Sequence, residues 1–205
     1  MRNIIATLLL GLVVLSCGAG PQYYAKSEAD AIKKNYSDKQ LQSLYEANRS
    51  LFGDIYSRYS SRNVGVTQDG IGLTTLEDFD KQRLHYLMVY VRPRDASFDI
   101  NTTTSQQRLA TILKDFVPRY LKMINSRDLD TKDIEGLAFG IYWAVRDHSQ
   151  CDSYGGHIEY VTIFFPKSAA QAYLNGNLAL GEAIDQSEVI ASVDLKPAQS
   201  IRPVF

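Results

Sequence analysis

The chain has 205 residues, with 22 basic and 23 acidic side chains and a formal net charge of −1 at pH 7. No block of one charge sign stands out, which argues against the basic footprint of nucleic-acid-binding proteins. The length suits one domain with an ample core. We expect residues 27–205 to form a single domain, with a helical part at 27–62 and a sheet-containing core at 64–205.

The first sixteen residues differ in composition from the rest of the chain. Arg2 is the only charge before an apolar run from Ile4 to Leu15, interrupted by Thr7 and Gly11. As a helix this run would rise roughly 18 Å, well short of the ~30 Å hydrocarbon core of a bilayer. A short positive start followed by a short apolar run predicts a signal peptide over residues 1–16.

The leader ends in Val14-Leu15-Ser16-Cys17. This ending resembles the lipobox of bacterial lipoproteins, in which an aliphatic residue, a tolerant position and a small residue precede the cysteine. Val14 departs from the leucine that is commonest at the first position. The resemblance implies that cleavage follows Ser16, that Cys17 Sγ carries a diacylglycerol, and that residues 17–26 are the lipidated cysteine and its tether.

The resemblance also implies a location in the cell envelope, with the membrane as a partner through the lipid anchor. Aspartate after the lipidated cysteine commonly retains such proteins in the inner membrane of Gram-negative bacteria. Gly18 occupies that position, so we expect the outer membrane, facing the periplasm, in such a host. The alternative is an ordinary cleaved signal with an incidental cysteine.

The first elements after the tether are predicted to be helical. Ser37-Asp38-Lys39-Gln40 reads as a capping box before an apolar run at helical spacing. This pattern predicts a helix over about 38–61, preceded by a shorter one from Glu28. Asp69-Gly70 then separates short alternating apolar runs, which predicts a hairpin over residues 64–76.

From residue 82 onward, strand and helix patterns alternate. Alternating or helical apolar spacing marks a strand at 82–92, a helix from Thr103 or Thr104 kinked at Pro118, strands at 134–146 and 157–165, a helix at 167–175 and a strand at 188–195. This order predicts an α+β fold, an antiparallel sheet with helices packed on one face. It is the ferredoxin-like βαββαβ order, with the N-terminal helix and hairpin as additions.

The strand at 134–146 has two unequal faces. One face carries bulky apolar side chains, and the other carries Ala138, Gly140 and Ala144, interrupted by Tyr142. Small residues let a helix approach a sheet closely. We therefore expect the small face to lie under the helices.

The main candidate for chemistry is the loop at 147–157. It contains His148, Cys151 and His157, and imidazole with thiolate suits Zn²⁺. The H-x₂-C-x₅-H spacing matches no standard zinc site, and a solvated hairpin loop is the alternative. If lipid occupies Cys17, then Cys151 has no intrachain disulfide partner and is a buried thiol or an intermolecular link.

The function expected from these features is that of a non-enzymatic binding or assembly accessory. Catalytic motifs such as G-x-S-x-G, H-E-x-x-H and a Walker loop are absent from the sequence, and no cofactor besides the lipid is expected. The partner would be an envelope protein or a glycan, and the tyrosines considered as recognition residues are Tyr23, Tyr24, Tyr36, Tyr154 and Tyr160. The alternative is a metal- or thiol-dependent module or enzyme centred on residues 147–157.

Overall fold

The computed structural model describes residue 25 and residues 27–32, 36–77, 82–147 and 156–203. The fold class is α+β, as predicted, with helices packed against a seven-stranded sheet. The helices are α1 (Glu28–Ile32), α2 (Lys39–Ala47), α3 (Arg49–Ser60), α4 (Ser105–Thr111), α5 (Val117–Leu121), α6 (Lys167–Leu174) and α7 (Leu180–Asp185). The strands are β1 (Gly65–Glu77), β2 (Arg83–Arg92), β3 (Ser97–Asp99), β4 (Gly136–Arg146), β5 (His157–Pro166), β6 (Glu188–Ser192) and β7 (Gln199–Ile201).

The sheet is mixed, which corrects the prediction of an antiparallel sheet. Its strand order is β1-β2-β4-β5-β6-β7, and β3 pairs with β4 beyond the end of β2. Strands β2 and β3 both run parallel to β4, while the other pairs are antiparallel. The helical crossover between β2 and β4 explains the parallel pair, because such a connection returns the chain to the same end of the sheet.

The ferredoxin-like topology is wrong. The predicted elements do occur in the predicted order from residue 83 onward, but the short strands β3 and β7 were not predicted. A ferredoxin-like fold splits its βαβ units, with another strand inserted between the two parallel strands. Here β2 lies directly beside β4, from Tyr86↔Gly136 to Val91↔Ile141. The periodicity of each element does not encode which strands become neighbours, so the strand order could not be read from it.

The predicted hairpin at 64–76 is a single bulged strand. Strand β1 pairs with β2 throughout, but the register shifts between Val66↔Val91 and Ile71↔Val89. Asp69 adopts a left-handed backbone, with φ of 52°. A Cβ at Gly70 would lie 2.7 Å from the Tyr90 carbonyl oxygen. The Asp-Gly pair therefore accommodates a bulge rather than a chain reversal.

Two helical regions differ in detail from their predictions. Residues 38–61 form α2 and α3 with a break at Asn48, and the side chain of Asp38 caps α2. Thr104, one of the two residues predicted to begin the helix, caps α4 and forms a capping box with Gln107. A π-helical turn (Ile112–Phe116) separates α4 from α5 and places Pro118 in the first turn of α5, where its missing N–H costs no helical hydrogen bond.

The bulky face of β4 lies under the helices, which reverses the prediction for its small face. Phe139 and Trp143 are buried in the main core together with residues of the helices. On the other face, a Cβ at Gly140 would lie 2.7 Å from Cδ1 of Tyr90. The small residues thus accommodate tyrosine rings from neighbouring strands instead of a helix.

The face of the sheet opposite the main core carries aromatic side chains from several strands. Tyr142 stacks on Tyr160 with ring centroids 5.0 Å apart, and Tyr86 meets Phe164 edge to face at 5.4 Å. Among the described residues, all members of the small hydrophobic cluster on this face lie in strands. Tyr160, expected as a recognition residue, is half-buried in this ladder.

The outer edge of β1 is protected by residues that precede the sheet. The Tyr36 hydroxyl accepts a hydrogen bond from Leu73 N–H at 2.8 Å and donates one to the Leu73 carbonyl at 3.0 Å. The Ala25 N–H donates to the Val66 carbonyl at 2.8 Å. These contacts satisfy backbone groups that would otherwise template strand pairing. Over the described residues, no helix combines the length and apolarity needed to cross a membrane.

Candidate functional site

The predicted metal or thiol site falls largely outside the described residues. His148 and Cys151 lie outside them, as do Cys17, Tyr23, Tyr24 and Tyr154. His157 begins β5, and its Nε2 lies 3.3 Å from Glu159 Oε1. Within the described ranges, no group of three His, Cys, Asp or Glu residues could hold a metal ion. A zinc or thiol site at 147–157 therefore stays a prediction.

At the end of the sheet from which this loop departs, a buried carboxylate is surrounded by hydrogen-bond donors. We call this group the glutamate cluster; it comprises Arg108, Trp143, His157, Glu159 and Asp194. The Arg108 guanidinium bonds Glu159 through Nε at 2.9 Å and through Nη2 at 2.7 Å. The two side chains are 1% and 0% exposed. Such a two-bond fork is the strongest arrangement of this ion pair.

Further donors saturate the Glu159 carboxylate. Trp143 Nε1–H donates to Oε2 at 2.8 Å, and the Asp194 backbone N–H donates to Oε1 at 2.8 Å. Burial alone would raise the pKa of Glu159, but the bonds from Arg108, Asp194 and Trp143 outweigh it and hold that pKa below its usual range. The bonds to Glu159 raise the pKa of Arg108. Glu159 is thus a fixed anion at neutral pH and unsuited to general acid–base chemistry.

The sheet register explains how the cluster forms. Trp143 on β4 and Glu159 on β5 are direct cross-strand partners on the helix-covered face. Arg108 lies in α4, one turn before the buried Ile112, and its Nη1 also donates to the Thr103 carbonyl at 2.6 Å. Sequence reasoning missed these three residues. The sequence carried one signal for two of them. Arg108 and Glu159 each occupy a position in an apolar pattern where a core residue is expected.

The cluster also fixes a turn with unusual backbone geometry. Asp194 and Leu195 both have left-handed backbones, with φ of 52° and 59°. We call residues 193–196 the Leu195 turn. Arg108 Nη2 donates to Asp194 Oδ1 at 2.8 Å, and the Lys196 N–H closes the turn on the Val193 carbonyl at 3.0 Å. The side chain of Leu195 is 77% exposed.

A second exposed apolar side chain is attached to the same cluster. Ile100, 48% exposed, follows β3 in a turn closed by bonds from Thr103 N–H and Oγ1 to the Asp99 carbonyl. Because Arg108 bonds both the Thr103 carbonyl and Asp194, one guanidinium holds the segments that carry Ile100 and Leu195. Among the described residues, these two are the large hydrophobic side chains that are exposed.

A separate open groove lies near the junctions of α3 with β1 and of β2 with β3. It consists of two cavities of 520 Å³ and 340 Å³ that share Asn63, Val64 and Arg94 in their walls. We call it the arginine groove, because Arg62, Arg94 and Arg119 line it. Asp95 is the acidic residue in its lining, and it pairs with Arg119 at 2.6 Å.

The three arginines differ in how they are held. Arg119 stacks over the rings of Phe116 and Tyr120, at 5.3 and 5.5 Å from their centroids. Arg62 and Arg94 are exposed, and their guanidinium groups make no ion pair or hydrogen bond with any described residue. Two cations are therefore available to an anionic ligand in this groove.

The geometry of the described residues is the basis for a functional proposal. The described part presents two contrasting features, an apolar turn fixed by buried charges and an open groove with unpaired arginines. Compared with family models, with curated proteins and with solved structures, the chain finds no match in any of the three.

Proposed function

We propose that the chain is an envelope lipoprotein that acts as a non-enzymatic binding accessory, anchored through acylated Cys17. In a Gram-negative host it would face the periplasm from the outer membrane. The lipobox-like leader supports the anchor. The saturated Glu159 carboxylate supports a binding role over an acid–base one, since each of its two oxygens already accepts two hydrogen bonds.

The observation that carries the binding role is the exposed Leu195 side chain on a left-handed backbone. A branched residue in that conformation costs roughly 1–2 kcal/mol, and such strain persists where surrounding structure enforces it. Here the buried Arg108–Glu159 pair enforces it through Asp194. The result is an apolar side chain that projects into solvent from a fixed backbone, which lowers the backbone entropy that a partner must overcome on binding.

This geometry favours a protein partner with an apolar pocket over a glycan. The leucine side chain offers no hydrogen bonds and no flat ring for a sugar, whereas an aliphatic side chain can fill an apolar pocket at the core of a protein interface. Ile100, held by the same guanidinium, would provide a second apolar contact. The proposed partner is therefore another envelope protein.

Site-specific photo-crosslinking in cells tests this proposal. A photoreactive residue replaces Leu195 in one strain and Gln186, exposed between α7 and β6, in the control strain. We expect one envelope protein, identified by mass spectrometry, to crosslink from position 195 and not from 186. Its purified form should bind Leu195→Ser about tenfold more weakly than Gln186→Ser, the loss of about 1.4 kcal/mol. Equal binding by the two variants would refute the docking role.

The lipid anchor is tested by mass spectrometry of the native N-terminus. We expect the mature chain to begin at Cys17 with the mass of a diacylglycerol on its sulfur. An unmodified cysteine, or a disulfide between Cys17 and Cys151, would refute the anchor while leaving the docking test intact.

A further inference from the structure

The arginine groove lies where the described domain meets its N-terminal tether. Ala25, the first described residue, lines the 520 Å³ cavity and bonds the Val66 carbonyl at the edge of β1. Eight links separate Ala25 from Cys17, and these can span at most roughly 29 Å. A lipid on Cys17 would therefore keep this groove within a short distance of the membrane surface.

The charge of the groove contrasts with that of the whole chain. Three arginines and one aspartate line the 340 Å³ cavity, while the full chain carries a net charge of −1. The carboxylate of Asp95 is already bonded to Arg119 at 2.6 Å. An anionic surface thus meets two guanidinium groups, Arg62 and Arg94, that are not paired with any described residue, at the part of the domain nearest the tether.

We propose that the arginine groove binds the anionic phospholipid headgroups of the membrane that holds the Cys17 lipid. The inference rests on the proposed anchor and adds a defined orientation to it. Guanidinium groups suit phosphate, since their planar fork matches its oxygens. The half-buried Tyr56 also lines the groove, and tyrosine is favoured at membrane interfaces. In this orientation the groove rests on the headgroups and limits the rotation of the tethered domain.

Vesicle binding measures this contact without the covalent anchor. The mature chain carrying Cys17→Ser is mixed with vesicles of phosphatidylcholine alone or with added phosphatidylglycerol. Each arginine near an anionic surface contributes about a fivefold factor in affinity. We therefore expect the pair Arg62→Gln and Arg94→Gln to weaken binding to the phosphatidylglycerol vesicles roughly 25-fold.

The matched control removes the same charge elsewhere. Arg49 at the start of α3 and Arg127 in the short 3₁₀ helix (Ser126–Leu129) are both exposed and lie outside the groove lining. The control pair, Arg49→Gln and Arg127→Gln, should bind within about twofold of the unaltered chain, because charges beyond the ~8 Å Debye length are screened at physiological salt. The Tm of both pairs should match that of the unaltered chain.

Three outcomes would overturn the inference. One is equal weakening by the two arginine pairs, and a second is equal binding to both kinds of vesicle. The third is displacement of the chain from vesicles by a modest excess of inorganic phosphate, which would identify a site for a free anion. Mass spectrometry of Cys17 tests the anchor separately, so failure of the anchor and failure of headgroup binding appear in different measurements.

Discussion

The glutamate cluster and the arginine groove both depend on arginine side chains, but they use them in opposite ways. In the cluster, Arg108 is 1% exposed and bonds two carboxylates and a carbonyl. In the groove, Arg62 and Arg94 are exposed and lack partners among the described residues. A buried charge needs all of its partners within the protein, whereas an exposed one stays solvated and keeps its bonding capacity for a ligand.

This difference separates structural charges from charges available for binding. Removing a partner from the cluster leaves an uncompensated ion in the core, so the penalty falls on folding. Removing a guanidinium from the groove leaves the fold intact, so the penalty falls on binding. The comparison predicts that the two regions respond to substitution in different assays.

The largest effect is expected from Glu159→Gln. The substitution leaves Arg108 buried without its main counter-ion, and breaking one side of a buried pair costs about 3–5 kcal/mol. The free energy of unfolding of the mature chain should fall by this amount in chemical denaturation. Fluorescence of Trp143, the single tryptophan, reports the transition because its fully buried ring becomes exposed to water on unfolding.

The control for this prediction is the same substitution in an exposed ion pair. Glu77 and Arg83 pair at 3.5 Å, with both side chains 64% exposed. Exposed pairs contribute about 0–1 kcal/mol, so Glu77→Gln should leave the unfolding free energy nearly unchanged. If both substitutions cost less than about 1 kcal/mol, the cluster is not the structural centre that its burial indicates.

An intermediate effect is expected from Tyr59→Phe, which tests how the walls of the groove are held. The buried Tyr59 hydroxyl in α3 donates to the Tyr120 carbonyl in α5 at 2.7 Å. Arg62 follows α3 and Arg119 lies in α5, so this bond joins the segments on which the groove is built. Removing the hydroxyl deletes one buried hydrogen bond, while the Tyr120 carbonyl keeps the bond from the Met123 N–H. The substitution should therefore cost about 0.5–1.5 kcal/mol of unfolding free energy.

Tyr56→Phe is the matched control. Tyr56 lies on the same helix, is half-buried and has no hydroxyl hydrogen bond to any described residue. Loss of the Tyr56 hydroxyl should change the unfolding free energy by less than about 0.5 kcal/mol. Equal effects of the two substitutions would show that Tyr59 contributes its ring rather than its hydroxyl.

Local sequence patterns predicted the elements of this fold better than their arrangement. The helix start at Thr104 and the apolar spacing in β2 and β5 are short-range signals, and the structure confirms them. Strand order depends on contacts between distant residues, which a single sequence does not display. The Asp-Gly signal at 69–70 failed because β1 pairs with β2 on both sides of these residues, which overrides the local turn preference.

The glutamate cluster was missed for a similar reason. Glu159 and Arg108 are 51 positions apart, and each alone reads as an isolated charge in an apolar pattern. Their pairing becomes visible only when the β4–β5 register places Trp143 opposite Glu159.

The small face of β4 was assigned to the helices because small residues permit close packing, but the tyrosines of β2 and β5 compete for the same space. The groove left no sequence signal, since Arg62, Arg94 and Arg119 are far apart along the chain.

The smallest effect expected is the pH dependence of the cluster. The pKa of Glu159 is lowered in the folded protein, so the unfolded chain binds the proton more readily. The stability that Glu159 contributes is therefore complete above about pH 4.3, the ordinary value for glutamate, and is lost as pH falls through the lower folded value. The unfolding free energy of the unaltered chain should exceed that of Glu159→Gln by a constant amount from neutral pH down to about pH 5. Below that pH the difference should become smaller.

This measurement should be made in a His157→Asn background, because the imidazole lies 3.3 Å from Glu159 Oε1 and its contact with that carboxylate is lost in Glu159→Gln. The same background carries Asp194→Asn, because Asp194 shares Arg108 Nη2 with Glu159 and its pKa, lowered by bonds from Ser105 and Arg108, would differ between the two chains. A difference that already narrows above about pH 6 would mean that burial raises the pKa of Glu159 beyond what its donors can offset. The carboxylate would then be a titrating group in a strained site, and the contrast between closed cluster and open groove would no longer hold.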